Sequence, residues 1–150
     1  MVSRVNSSAR LNKEDGFAAN VTIPSSAVMT LNTVGYTLLA APVNVQLALF
    51  LTELTAKITT GTPYIGIHNM TVGYGTPNAQ VPIICTLPGI GFLDQSVPTG
   101  VVAVFNGVSN GGYIVSQASN AITLWMGTSN PSQGTSPISI SMKYKTHRLP

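Results

Sequence analysis

The run Val43-Asn44-Val45-Gln46-Leu47-Ala48-Leu49-Phe50-Leu51-Thr52-Glu53-Leu54-Thr55-Ala56-Lys57-Ile58 can be read with two periods, and the choice between them sets the fold class. With period 3.6, Val43, Leu47, Phe50, Leu54 and Ile58 form a helical stripe, and Glu53 with Lys57 makes a favourably oriented i,i+4 pair. With period 2, Val43, Val45, Leu47, Leu49 and Leu51 face one side, and the apolar set moves to Leu54, Ala56 and Ile58 after Thr52. Such a change of parity requires a bulge or bend. β-Branched and aromatic residues populate the run and no good N-cap precedes it, which favours a long bent strand. One short helix stays open as the alternative.

The surrounding sequence agrees with a strand. Phe17, Ala19, Val21 and Ile23 alternate with polar or small residues until Pro24. Alternation resumes through Val28 to Leu31 and from Tyr36 to Leu39, and returns in Met70–Tyr74, Val81–Leu87, Val101–Phe105, Tyr113–Val115 and Ala121–Met126. In the closing run, Ile138, Ile140, Met142 and Tyr144 face one way while Ser139, Ser141, Lys143 and Lys145 face the other. Gly and Pro, 14 and 10 in number, punctuate these runs, as in the Asn110-Gly111-Gly112 turn. Eight to ten strands at this spacing predict an all-β, jelly-roll-like β-sandwich. Residues 1–15 form a polar, charged N-terminal arm, and residues 16–150 form one sandwich domain.

Charge is scarce and unevenly placed. Of 150 residues, 7% are charged, and 47 are Thr, Ser, Asn or Gln. Arg4, Arg10, Lys13, Glu14 and Asp15 sit at the start and Lys143, Lys145 and Arg148 at the end; between Gly16 and Met142 only Glu53, Lys57 and Asp94 are charged. Charge is depleted at interface cores, so a body this bare is expected to be covered in part by neighbouring subunits. The interface candidates are the terminal cations Arg4, Arg10, Lys13, Lys143, Lys145 and Arg148. No apolar signal segment occupies residues 1–16 and no apolar run approaches the ~20 residues of a membrane span, so the expectation is synthesis in the cytoplasm without a membrane partner. Cys85 alone cannot form a disulfide within the chain and reads as a small buried hydrophobe.

Four carboxylates and two histidines leave little for catalysis. Gly107-Val108-Ser109-Asn110-Gly111 matches a nucleophile elbow, but a strand-like run follows where a helix is needed, and no acid lies between Ser109 and His147. Glu14 and Asp15 are adjacent in the arm, and Glu53 has Lys57 as a partner, so no carboxylate pair suits glycoside hydrolysis. His68, His147 and Cys85 lack metal-ligand spacing, and His68 reads as a strand-edge or loop residue. The glycine pairs at 73 and 75 and at 89 and 91 do not extend to a phosphate-binding loop. The expectation is a protein that is not an enzyme and carries no cofactor, metal or catalytic residue. The basic end, Lys143 to Arg148, has too few cations to track a nucleic acid and suits a lysine-guarded edge strand or an acidic protein neighbour.

A series of short motifs in fixed order resembles the small tailed-bacteriophage virion proteins of the capsid decoration, or cement, type. They are Val21-Thr22-Ile23-Pro24, Thr30-Leu31-Asn32, Leu38-Leu39-Ala40-Ala41-Pro42, Thr62-Pro63-Tyr64, Asn69-Met70-Thr71-Val72-Gly73-Tyr74, Gly91-Phe92-Leu93-Asp94, Ala121-Ile122-Thr123-Leu124, Asn130-Pro131 with Gly134, and Ser136 to Tyr144. The resemblance spans about residues 21–145. It implies a jelly roll on the capsid exterior that binds the major capsid protein and itself, often as a homotrimer, and brings no catalytic residues. The alternative of another class is a receptor- or glycan-binding domain of a phage tail fibre, for which Trp125 and the tyrosines would supply stacking surfaces.

Overall fold

The computed structural model describes residues 16–58, 61–76, 83–95, 102–105 and 119–148, with residues 102–105 described by backbone alone. The arm of residues 1–15, the Ser109 motif with its Asn110-Gly111-Gly112 turn, and the Tyr113–Val115 run lie outside these residues.

Eight strands are described: β1 (Phe17–Ile23), β2 (Tyr36–Leu39), β3 (Leu47–Ile58), β4 (Met70–Tyr74), β5 (Ile83–Leu87), β6 (Val102–Phe105), β7 (Ile122–Met126) and β8 (Ile138–Arg148). They form two antiparallel sheets ordered β1-β8-β3-β6 and β2-β7-β4-β5. Apart from the β4–β5 neighbours, each strand is followed by one in the opposite sheet. This is the crossing pattern of a jelly roll. The inner faces meet in one core that includes Ile23, Leu49, Leu51, Leu54, Ile58, Met70, Val72, Leu124, Ile138, Ile140 and Met142.

β3 is the bent strand. Its register against β8 runs from Leu47 opposite Arg148 to Ile58 opposite Ile138 and slips between Leu51 and Glu53. Before the slip Leu49 and Leu51 are buried; after it Leu54, Ala56 and Ile58 are. Thr52 is the extra residue, and its hydroxyl donates to the Lys143 carbonyl at 3.0 Å, filling part of the gap a bulge leaves in the ladder. The strand starts four residues later than the sequence periodicity predicts. The Asn44 side chain accepts from the Gln46 amide and its carbonyl from the Leu47 amide, which closes a turn. Val43 and Val45 therefore stand exposed.

The short helix lies elsewhere. α1 (Ser25–Val28) replaces the alternation expected over Val28–Leu31. Pro24 enters at φ −66° and its carbonyl accepts from Ala27 and Val28. Val28 and Leu31 are both buried at helical spacing, which period 2 cannot arrange. β8 also departs from expectation: it lies between β1 and β3 and continues to Arg148, so His147 and Arg148 belong to a paired strand and not to a loose tail.

Tyrosine hydroxyls brace the sandwich. β6 pairs only with Leu54–Lys57 of β3, and the carbonyls of Leu47 and Leu49 on the same side of the strand take the Ser119 amide and the Tyr74 hydroxyl. Tyr74 belongs to β4, so this bond ties one sheet to the other. Tyr64 donates to the Ser136 carbonyl, and its ring lies so close to Gly134, at φ +143°, that no Cβ fits there. Neutral amides knit the end of the sandwich beyond Ile23 and Met126: Asn32 donates to the Met126 carbonyl, and Asn130 accepts from the Asn32 amide and donates to Thr33. Asn69 accepts there from the Gly89 amide.

Tyr74→Phe should keep the fold and lower its stability by about 1–2 kcal/mol, because the buried Leu49 carbonyl loses its donor; urea unfolding measures this. Burial pushes the hydroxyls of Tyr64 and Tyr74 up to about 12. Unfolded tyrosine ionises near pH 10, so these residues favour the folded state fully below that pH. Stability should therefore fall as pH rises from about 10 to 12, by up to ~1.4 kcal/mol per pH unit for each tyrosine. The Cys85 thiol, also pushed up to about 12 by burial, adds to this slope, so Tyr74→Phe should reduce it by about a third.

Candidate protein-interaction face

The two sheets turn very different outer faces to their surroundings. Opposite parity to the core places Ala18, Asn20 and Thr22 of β1 on the outside of the first sheet. Ser139, Ser141, Lys143, Lys145 and His147 of β8 join them, with Phe50, Glu53, Thr55 and Lys57 of β3. The second sheet shows Thr37, Thr71, Thr86, Thr123, Gly73 and Trp125 at the equivalent positions, with no ionisable group. Charges 90 residues apart in sequence thus converge on one face, because β3 and β8 are neighbours with matching parity.

Within that face Glu53 lies directly opposite Lys143, and Lys143 Nζ is 3.3 Å from Glu53 Oε2. This replaces the Glu53–Lys57 pair expected for a helix. Four residues of strand span about 13 Å, whereas residues opposite one another lie about 5 Å apart. The pair is exposed, at 64% and 41%, so its contribution to stability is at most about 1 kcal/mol. Lys57 is exposed on the same face, and Lys145 is half-buried opposite Phe50. Among the described residues this face carries three lysines and one glutamate.

Of the six predicted interface cations, the fold brings Lys143 and Lys145 together on the outer face. Arg148 has the opposite parity; its Nε and Nη2 donate to Gln46 Oε1 at 3.2 and 2.8 Å, at the end of the sheet beside the exposed Val43 and Val45. Arg4, Arg10 and Lys13 lie outside the described residues. Lys57 and Gln46 were not singled out from the sequence. Lys57 follows from the parity change at Thr52, which aligns it with Glu53, Thr55 and Lys143; Gln46 carries no such signal.

Among the described residues the remaining polar side chains do not assemble a reaction centre. His68, in the loop before β4, has Nε2 3.0 Å from Ser129 Oγ, but no carboxylate among the described residues orients the imidazole. Asp94 closes a surface turn; hydrogen bonds, first from the Gln95 side chain and then from the Gly91 amide, hold its carboxyl below the usual range. Burial pushes the Cys85 thiol up to about 12, which keeps it out of the reactive thiolate form. Among the described residues no group of three metal-ligating side chains occurs, and no helix is long and apolar enough to cross a membrane. Trp125 is buried on the outward parity of β7, Tyr64 and Tyr74 are inside, and Tyr36 and Tyr144 are half-buried.

No family model and no curated protein matches this chain. Among solved structures, a chain of the cyanophage Pam1 capsid asymmetric unit is similar over 91% of this chain and 86% of its own, with TM-score 0.51 and 10% identity. The tobacco streak virus coat protein dimer aligns over 93% of this chain and 90% of that one at 12% identity, but its TM-score of 0.24 is too low to indicate a common fold. The cyanophage likeness shows that the same two-sheet architecture occurs in a phage capsid, and at this identity it shows architecture alone.

Proposed function

We propose that this chain is a non-enzymatic virion structural protein of the decoration or cement type. It binds the outer surface of a phage capsid and strengthens contacts between major capsid proteins. The observation that carries this reading is the gathering of Lys57, Lys143 and Lys145 onto one sheet face, while the strands of the other sheet place no charge on its outer face among the described residues. A face whose described charges are mainly cationic sets the orientation of approach to an acidic protein surface. The capsid setting of the cyanophage chain that shares the fold supports the same reading. The tail-fibre alternative draws nothing from Trp125, which is buried and offers no ring face to a sugar.

Substituting Lys57, Lys143 and Lys145 together with Gln should weaken attachment to shells stripped of this protein by about tenfold or more at low ionic strength. The difference from wild type should shrink as salt is added. Equal shell occupancy at every salt concentration would remove this face from the contact. Glu53→Gln should act in the opposite sense: it frees Lys143, raises the net positive charge of the face, and should move the salt concentration for half release upward. Co-sedimentation with shells reads both variants.

A further inference from the structure

The described edge strands differ in how they are protected. β2 has four residues and a register slip, β5 has five and a slip against β4, and β6 has four. β1 has seven residues in unbroken register with β8, holds no charge, and has no proline before Pro24. Proteins usually guard such an edge with charges, proline, bulges or brevity, because its free amides and carbonyls are a template for another strand. Among the described residues none of these protects β1, and only the Tyr36 hydroxyl reaches its edge, at the Thr22 carbonyl.

The sequence of β1 also says what fits it. The Thr22 carbonyl lies 3.5 Å from the Tyr36 hydroxyl of β2 and so points away from β8. By the two-residue period of a strand, the backbone groups of Ala18 and Asn20 point the same way. We infer that β1 pairs antiparallel with β1 of a second copy about a two-fold axis at Asn20, joining two four-stranded sheets into one. In this register Asn20 faces its own copy, and Ala18 lies opposite the second copy's Thr22. Ala18 is small enough to leave room for the nearby Tyr36. On the core side Phe17 lies opposite the second copy's Ile23, and Ala19 opposite Val21. Every apolar residue on the core side meets an apolar one, and no charges meet.

Phe17 gives the second support. Its parity is inward and its ring stacks on Tyr144 at 5.4 Å, yet it is 48% exposed, and Ala19 and Val21 are only half-buried. The sandwich is open along this edge, and a second β1 closes it. The contact is isologous, so it closes on itself and does not propagate into a fibre. It does not involve the lysine face and stands independently of shell attachment.

The register makes the test specific. With Asn20→Cys, two sulfurs face each other across the axis at Cα spacing suited to a disulfide, and Cys85, with its thiol pushed up to about 12, does not compete. Under mild oxidation the purified full chain should give a covalent dimer at least about tenfold faster than Ala18→Cys, whose copies would sit about 13 Å apart along the strands. Asn20→Lys puts like charges on the axis without touching the core, and should halve the mass measured by analytical ultracentrifugation while the far-UV circular dichroism of the folded chain is kept, with thermal unfolding no longer dependent on protein concentration. Equal cross-linking at 18 and 20, or an unchanged mass for Asn20→Lys, would overturn the pairing.

Discussion

The slip of one residue at Thr52 lets a single long strand serve the core along its whole length. A twelve-residue strand in perfect register with β8 would turn Leu54, Ala56 and Ile58 outward, because every residue after the midpoint would keep the parity of the first half. With the extra residue, Leu49 and Leu51 face the same interior as Leu54, Ala56 and Ile58. Everything on the outside follows from the same shift. Glu53 moves opposite Lys143, Lys57 joins the same face, and the Thr52 hydroxyl mends the ladder at the break.

Much of this is visible in the sequence because side-chain period and strand geometry are tied. The parity change in Val43–Ile58 already requires a bulge near Thr52, and the alternation of Ile138 to Lys145 already separates a core row from a lysine row. What cannot be read there depends on partners. Val43 and Val45 continue the apolar alternation, but the Asn44 turn removes them from the strand through bonds to Gln46 and Leu47. Val28 and Leu31 are compatible with either period until Pro24 and the core beneath decide. His147 and Arg148 look like a tail because nothing local shows that β3 reaches far enough to pair them.

The candidate site was half legible for the same reason. Lys143 and Lys145 share parity on one strand, so their common face can be read directly. Lys57 joins them only through strand order, which places β3 beside β8 although 80 residues separate them in the chain. The pairing partner of Glu53 is likewise a property of topology. Within the described sheets, polarity is divided between an ion-bearing face and a threonine-rich one, and this division gives the sandwich two chemically distinct sides.

The amide lattice at the far end of the sandwich bears on chemical ageing. Asn32 donates its side-chain amide to the Met126 carbonyl, and hydrolysis of that amide would turn an attractive contact into a carboxylate facing a carbonyl oxygen. Spontaneous deamidation proceeds by attack of the next residue's backbone nitrogen, fastest when glycine follows. Asn32 precedes Thr33, Asn69 precedes Met70, and Asn130 precedes Pro131, whose nitrogen carries no hydrogen. The three asparagines that hold these loops together are thus set in sequence contexts that age slowly, a property suited to a protein that must keep its shape for long periods without being replaced.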